Sequence, residues 1–174
     1  MAIEKVREYF ESFGAAARIR EFDVSSATVS LAAQALGCEE AHIAKTLAFF
    51  TPQGPALIVA AGDAKVDNAK FKAQFGVKAK MIPPQDVQAL VGHAPGGVCP
   101  FCVNAGVQVF LDCSLQRFAT IYPAAGSANS AVPPCRIAFA AMLKLPGHMM
   151  PTERPQRAQP TRPNTGQGES DASR

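Results

Sequence analysis

The sequence predicts an α+β fold: a single domain built on a mostly antiparallel sheet, with helices set around it. Two apolar extended runs, His42 to Phe50 and Ala56 to Ala61, flank a turn from Pro52 to Pro55 and read as a hairpin. Helical patterns fall at irregular places among the strand-like ones, as α+β folds allow. The length of 174 residues, with 48% of them apolar, gives one domain a substantial core.

Taken in order, Ile3 to Phe13 is a helix. Ile3, Val6, Phe10 and Phe13 recur at spacings of three and four, and Gly14 stops it. Arg18 to Phe22 alternates like a strand. Ser25 and Ser26 are placed to cap a helix through Leu36, which Gly37 closes. After the hairpin, Asp67 caps a helix through Phe75 that Gly76 ends. Lys78 to Ile82 is a short strand, and Pro84 opens a helix through Val91. Val107 to Leu111, Arg117 to Tyr122 and Asn129 to Val132 read as three more strands, and Pro133 and Pro134 start a last helix through Leu143.

Residues 151–174 differ in kind. Pro151, Pro155, Pro160 and Pro163 stand among Gln, Arg, Thr, Gly and Ser, with no aromatic and no periodicity. Such a segment buries too little surface to offset its ordering entropy. The expectation is a folded domain over 1–150 and a disordered Pro-rich tail over 151–174.

Composition narrows the function classes. No apolar run nears the roughly 20 residues that cross a bilayer, and the charged N-terminus lacks the apolar stretch of a signal peptide. A soluble, cytoplasmic protein without a membrane partner is expected. Cys38, Cys99, Cys102, Cys113 and Cys135 are odd in number and irregularly spaced, which suits reduced thiols better than a disulfide frame. The net charge of +3 is too small to announce nucleic-acid binding, but its distribution is uneven. Residues 1–63 hold five Lys/Arg against eight Asp/Glu, whereas residues 64–80 hold Lys65, Lys70, Lys72, Lys78 and Lys80 against Asp67 alone. A short basic patch suits a few phosphate contacts, and equally a solvated helix face.

Three features carry candidate chemistry. The loop Gly92 to Phe101 (GHAPGGVCPF) is stiffened by two prolines and opened by three glycines. It reads either as a concavity of backbone N–H groups for a phosphate, carboxylate or oxyanion, or as an ordinary turn. Lys45 sits in the strand IAKTLAF, where both faces are largely apolar. A lysine there lines a cleft or meets an anion, or else snorkels from an edge. Cys99-Pro-Phe-Cys102 has the spacing of a redox pair, but it follows a Gly-rich loop rather than opening a helix after a strand. A zinc site would need two further ligands, and Cys113, Cys135, His93 and His148 supply no second close pair. No nucleophile elbow, H-E-x-x-H, Walker loop or dinucleotide fingerprint is present.

Lys45 in I-A-K-T-L, the G-D-A-K run from Gly62 to Lys65 and the Gly92 to Phe101 loop together resemble, in order and spacing, the YbaK/ProX family. These are free-standing relatives of the editing domain inserted in bacterial prolyl-tRNA synthetases. The resemblance covers about residues 1–145. It implies a curved, mixed sheet and a trans-acting aminoacyl-tRNA deacylase. Such an enzyme cleaves the ester of a mischarged tRNA, typically tRNA-Pro carrying a small wrong amino acid, without metal or cofactor. By the same resemblance, Lys45 and the backbone at Gly96 and Gly97 serve catalysis. Gly92, His93, Ala94, Pro95, Ser127 and Asn129 line the substrate site. Lys65, Lys70 and Lys72 meet the acceptor end of the tRNA, and an aminoacyl-tRNA synthetase is a further partner. Two features depart from the family: Cys102 replaces a glycine after Cys-Pro-Phe, and the chain beyond Pro133 lacks the usual acidic helix and final strand. The rival readings are a non-catalytic tRNA- or synthetase-binding module, and a thiol-redox or zinc protein using Cys99 and Cys102.

Overall fold

The computed structural model describes residues 2–12, 14–132 and 149–150. Among them the helices are α1 (Ala2–Glu11), α2 (Val29–Leu36), α3 (Asn68–Phe75) and α4 (Pro84–Val91). The strands are β1 (Arg20–Glu21), β2 (Ile43–Thr51), β3 (Gly54–Ala61), β4 (Gln108–Asp112), β5 (Tyr122–Pro123), β6 (Ser130–Ala131) and β7 (Met149–Met150). Short 3₁₀ turns cover Ala16–Arg18, Glu40–His42 and Cys113–Arg117.

The main sheet runs in the order β5-β2-β3-β4-β7. β2 and β3 form the expected hairpin, antiparallel from Ala44↔Ala61 to Thr51↔Gly54. The other three pairings, β5 on β2, β4 on β3 and β7 on β4, are parallel. The α+β class therefore stands, and the sheet is mixed, with its antiparallel character concentrated in one long hairpin. A two-residue turn writes that hairpin locally, whereas parallel neighbours arrive through crossovers that no local pattern records. β1 and β6 make a separate antiparallel ribbon.

β3 is the centre of the core, buried from Ala56 to Ala61. Strand alternation sends neighbouring residues to opposite layers. On one face, Phe49 and Ile58 meet Phe71 and Phe75 of α3. On the other, Ala48 and Leu57 meet Val87 and Val91 of α4. α1 adds Val6 and Phe10, with Phe10 edge-on to Phe101 at 4.8 Å between ring centres.

The two central helices are framed as the sequence predicts. Asp67 accepts from the N–H groups of Ala69 and Lys70, and Gly76 closes α3 at φ 76°. Pro84 opens α4, and Gly92 closes it at φ 97°.

Elsewhere the structure corrects the reading. Ser25 and Ser26 do not cap α2; Thr28 does, accepting from Leu31 N–H at 3.2 Å. The segment before it is tied down instead, with Phe22 N–H bound to the Asn129 carbonyl and Ser26 N–H to that of Ala128. Lys78 to Ile82 contributes only one bridge, Phe49↔Met81, to β2. Most of Arg117 to Tyr122 is not strand, because Asp112 takes the Ser114 N–H at 2.7 Å and turns the chain into a 3₁₀ turn. The predicted helix from Pro133 and the tail over 151–174 lie outside the described residues.

Phe71 is buried against both Phe49 and Phe75, at 5.1 and 4.6 Å between ring centres. Phe71→Ala is expected to destabilise the domain by about 3–5 kcal/mol, read as a lower urea midpoint with an unchanged slope.

Candidate functional site

β2 carries Lys45 to the end of the hairpin, where the chain leaves β3. The lysine Nζ donates to the Gly62 carbonyl at 2.9 Å and to the Ala64 carbonyl. An ammonium leaving water needs acceptors, and this turn supplies two, leaving one of its three N–H donors for another partner. The turn fits because residue 62 has no side chain: a Cβ there would lie 1.9 Å from the Glu40 carbonyl oxygen. Asp63, between the two acceptors, is gripped from outside by the Arg117 guanidinium, with Nη1 2.9 Å from Oδ2 and Nη2 on Oδ1. That hydrogen bond holds the Asp63 carboxyl below its usual pKa. Burial lowers the pKa of Lys45, and the Asp63 charge opposes it.

The second part is the turn from Ala94 to Gly97. Gly97 N–H donates to the Ala94 carbonyl at 3.0 Å. Pro95 is second in the turn, and Gly96 third at φ 83°, the signature of a type II turn. Gly97 sits tightly against Ser127, whose Cα would be 2.8 Å from a Cβ at position 97. The Gly97 N–H is thus spent within its own turn, whereas among the described residues that of Gly96 has no partner.

His93 latches the loop. It is 1% exposed, and Nε2 lies 2.7 Å from the Phe101 carbonyl. A carbonyl only accepts, so Nε2 carries the proton. Cys99, 0% exposed, packs beside this ring, with Sγ 3.6 Å from Nε2. Burial pushes its thiol up to about 12, and burial raises that of Cys102 as well. Both shifts oppose thiolate formation, the reverse of what a redox pair needs. No group of three or more His, Cys, Asp or Glu side chains placed to hold a metal occurs among the described residues.

Lys45 and Gly96 line one cavity of about 300 Å³. Its other walls include Ala27, Val29, Ile43, Tyr122 and Ala124, with Thr28, Thr46 and Ser130 as hydroxyls. The remaining expected residues stand elsewhere. Gly92 caps α4, His93 is interior, Ala94 and Pro95 are exposed on the turn, and Gly97 lies behind it. Ser127 and Asn129 are a layer back. Ser127 donates to Ser130 Oγ at 2.7 Å, and Asn129 Nδ2 donates to the Phe22 carbonyl at 2.9 Å. Lys65, Lys70 and Lys72 stand on or just before α3, away from the cavity, with Lys70 3.8 Å from Asp67. Thr46 and Ser130 are cavity residues that the sequence reading missed. Both adjoin positions it named, so strand register was the missing signal.

With the geometry in view, comparison with known proteins is decisive. Residues 24–133 match the family model of the aminoacyl-tRNA editing domain. The chain belongs to that family. This editing domain is 46% identical over 133 residues to the uncharacterized protein YwhH of Bacillus subtilis (strain 168), covering 76% of this chain and 85% of that one. Its fold is similar to that of a crystal structure provisionally designated a trans-editing enzyme for prolyl tRNA synthetase. The TM-score is 0.77 at 24% identity, over 88% of this chain and 98% of that one. The hypothetical protein APE2540 is similar as well, with a TM-score of 0.75 at 23% identity over 85% and 98% of the two chains. These two likenesses bear on the fold.

Cys102 occupies the left-handed region at φ 51°, a conformation that glycine adopts without penalty and a Cβ disfavours. Its Sγ contact with the Lys5 carbonyl at 3.3 Å returns part of the strain. Cys102→Gly is expected to raise stability by up to about 1 kcal/mol, measured by urea unfolding.

Burial also holds the His93 imidazole below its ordinary pKa, against the opposing pull of the Phe101 carbonyl. Below about pH 6.5 the unfolded chain therefore takes up a proton that the folded one refuses, and stability falls as the pH drops. His93→Gln removes that titration. Urea midpoints at pH 7.5 and 5.5 should differ less in the variant than in the parent.

Proposed function

We propose that this editing domain is a free-standing hydrolase. It cleaves the ester between a wrong amino acid and the 3′-terminal adenosine of a tRNA, with tRNA-Pro carrying a small amino acid as its substrate. The observation that carries this reading is the shared cavity, with a half-buried cation on one wall and an uncommitted backbone N–H on another. The family membership supports it.

An aminoacyl ester is already activated, so hydrolysis needs a placed water and donors for the tetrahedral oxyanion. The remaining N–H of Lys45 and the N–H of Gly96 are two such donors. Water attacks the carbonyl carbon and the C–O bond to the ribose breaks. The proton lost by the water goes to the departing 3′ oxygen, relayed by a neighbouring ribose hydroxyl. No protein base is required, in keeping with the uncharged interior of His93 and its commitment to Phe101.

Selection rests on size. Ala27, Val29, Ile43 and Ala124 leave an apolar wall suited to a short side chain. Each methylene misfit is worth about 1–3 kcal/mol. The basic stretch from Lys65 to Lys80 meets the acceptor-stem phosphates.

A panel of tRNAs mischarged with alanine, serine, threonine and cysteine tests the reading. Release of amino acid from at least one is expected, with Lys45→Ala folded and about 100-fold slower. Raising salt from 50 to 200 mM should slow turnover at limiting substrate on the order of tenfold. Retention of the RNA without release of any amino acid would make the domain a binder, and full activity in folded Lys45→Ala would remove that lysine from the mechanism.

A further inference from the structure

Five consecutive residues of β2, Ile43 to Leu47, line the cavity. Side chains alternate across a strand, so a wall touching five in a row is an edge rather than a face. Hydrogen bonding identifies the edge. Phe50 N–H donates to the Lys80 carbonyl, and the Ala48 carbonyl accepts from Ile82 N–H, both at 2.9 Å. Residues 48 and 50 thus turn their polar backbone away from β3, and by the period of two so do 44 and 46. Ala44 lies in the stretch paired with β5, which ends at Pro123; the chain then bridges from Ala124 to Ala131. Thr46 falls in the gap between β5 and the Lys80–Ile82 segment. Among the described residues, its N–H and C=O have no partner, and its hydroxyl is buried without one.

A single strand residue with both groups free is half of an antiparallel pair. In the narrow pair of such a ladder, two residues exchange both N–H···O bonds at a Cα separation of about 5.5 Å. An amino-acid ester carries the same donor and acceptor on one residue. We propose that the Thr46 edge of β2 docks the aminoacyl group of the substrate as one added strand residue. The α-ammonium donates to the Thr46 carbonyl, and the Thr46 N–H donates to the ester carbonyl oxygen. Thr46 N–H then joins the Gly96 N–H and Lys45 around the developing oxyanion, replacing the Gly97 N–H that the turn consumes. Recognition at Thr46 reads groups common to every amino acid, and the apolar wall reads the side chain. The inference takes its reaction from the deacylase reading and its binding geometry from the sheet alone.

Binding is tested with a non-hydrolysable probe, 3′-alanylamino-3′-deoxyadenosine, added to ¹⁵N-labelled protein. The Thr46 amide resonance is expected to move most among the β2 amides, and binding that leaves it unmoved overturns the proposal. Deacylation rates test the backbone N–H itself. Thr46→Pro deletes the N–H, at an edge position whose N–H serves no ladder bond, and should be at least about 100-fold slower. Folded Thr46→Pro with parental activity overturns the proposal. Should that variant unfold, alanyl- and lactyl-tRNA are compared on the parent protein. A rate about tenfold or more lower for lactyl-tRNA supports the ammonium contact, and equal rates refute it. A protein that binds the probe at Thr46 yet cleaves none of the mischarged tRNAs refutes the deacylase reading and leaves the docking position standing.

Discussion

A lysine ammonium carried half out of water on a central strand has to be met by acceptors. Much of this domain is arranged around that requirement. β3 must end where it does so that the carbonyls of Gly62 and Ala64 reach Lys45. Residue 62 must lack a side chain so that the turn can close on the Glu40 carbonyl. Asp63 must be held from outside so that the turn does not open, and Arg117 holds it from the 3₁₀ turn after β4. One half-buried cation therefore links the hairpin and two 3₁₀ turns. Each of these contacts offsets part of the cost of drawing the ammonium out of water.

The facing wall solves the opposite problem. Gly96 lines the cavity with an N–H that has no partner among the described residues, and such a group wanders unless its chain is stiff. Pro95 fixes one dihedral of the turn, Gly96 permits the next, and the His93 latch to Phe101 fixes the ends of the loop. Side chains that look reactive, the imidazole of His93 and the thiol of Cys99, are spent on this stiffening.

Local features were legible in the sequence because their causes are local. Asp67, Gly76, Pro84 and Gly92 mark the ends of α3 and α4 through hydrogen bonds within a few residues. The hairpin is written by its turn, and Lys45 is conspicuous because a charge breaks an apolar pattern. The parallel pairings, by contrast, depend on crossovers, and Asp112 overrides a strand-like pattern through a single bond to Ser114. The same limit shaped the site. Ser127 and Asn129 were plausible neighbours, yet it is the adjoining Ser130 that lines the cavity. Nothing in the side chain of Thr46 sets it apart, since what distinguishes it is the absence of a neighbouring strand among the described residues. The Asp63–Arg117 pair joins residues 54 positions apart, beyond the reach of any pattern along the chain.

The gap along β2 has a consequence for the behaviour of the protein in a crowded solution. An open strand edge is ordinarily a template on which other chains polymerise. Here the opening is one residue long, closed on one side by β5 and on the other by the Lys80–Ile82 segment. A foreign strand needs several successive rungs to bind, and it meets a filled edge on either side of the first. The domain can keep a donor and an acceptor permanently unpaired without inviting aggregation, because the vacancy is too short to be copied.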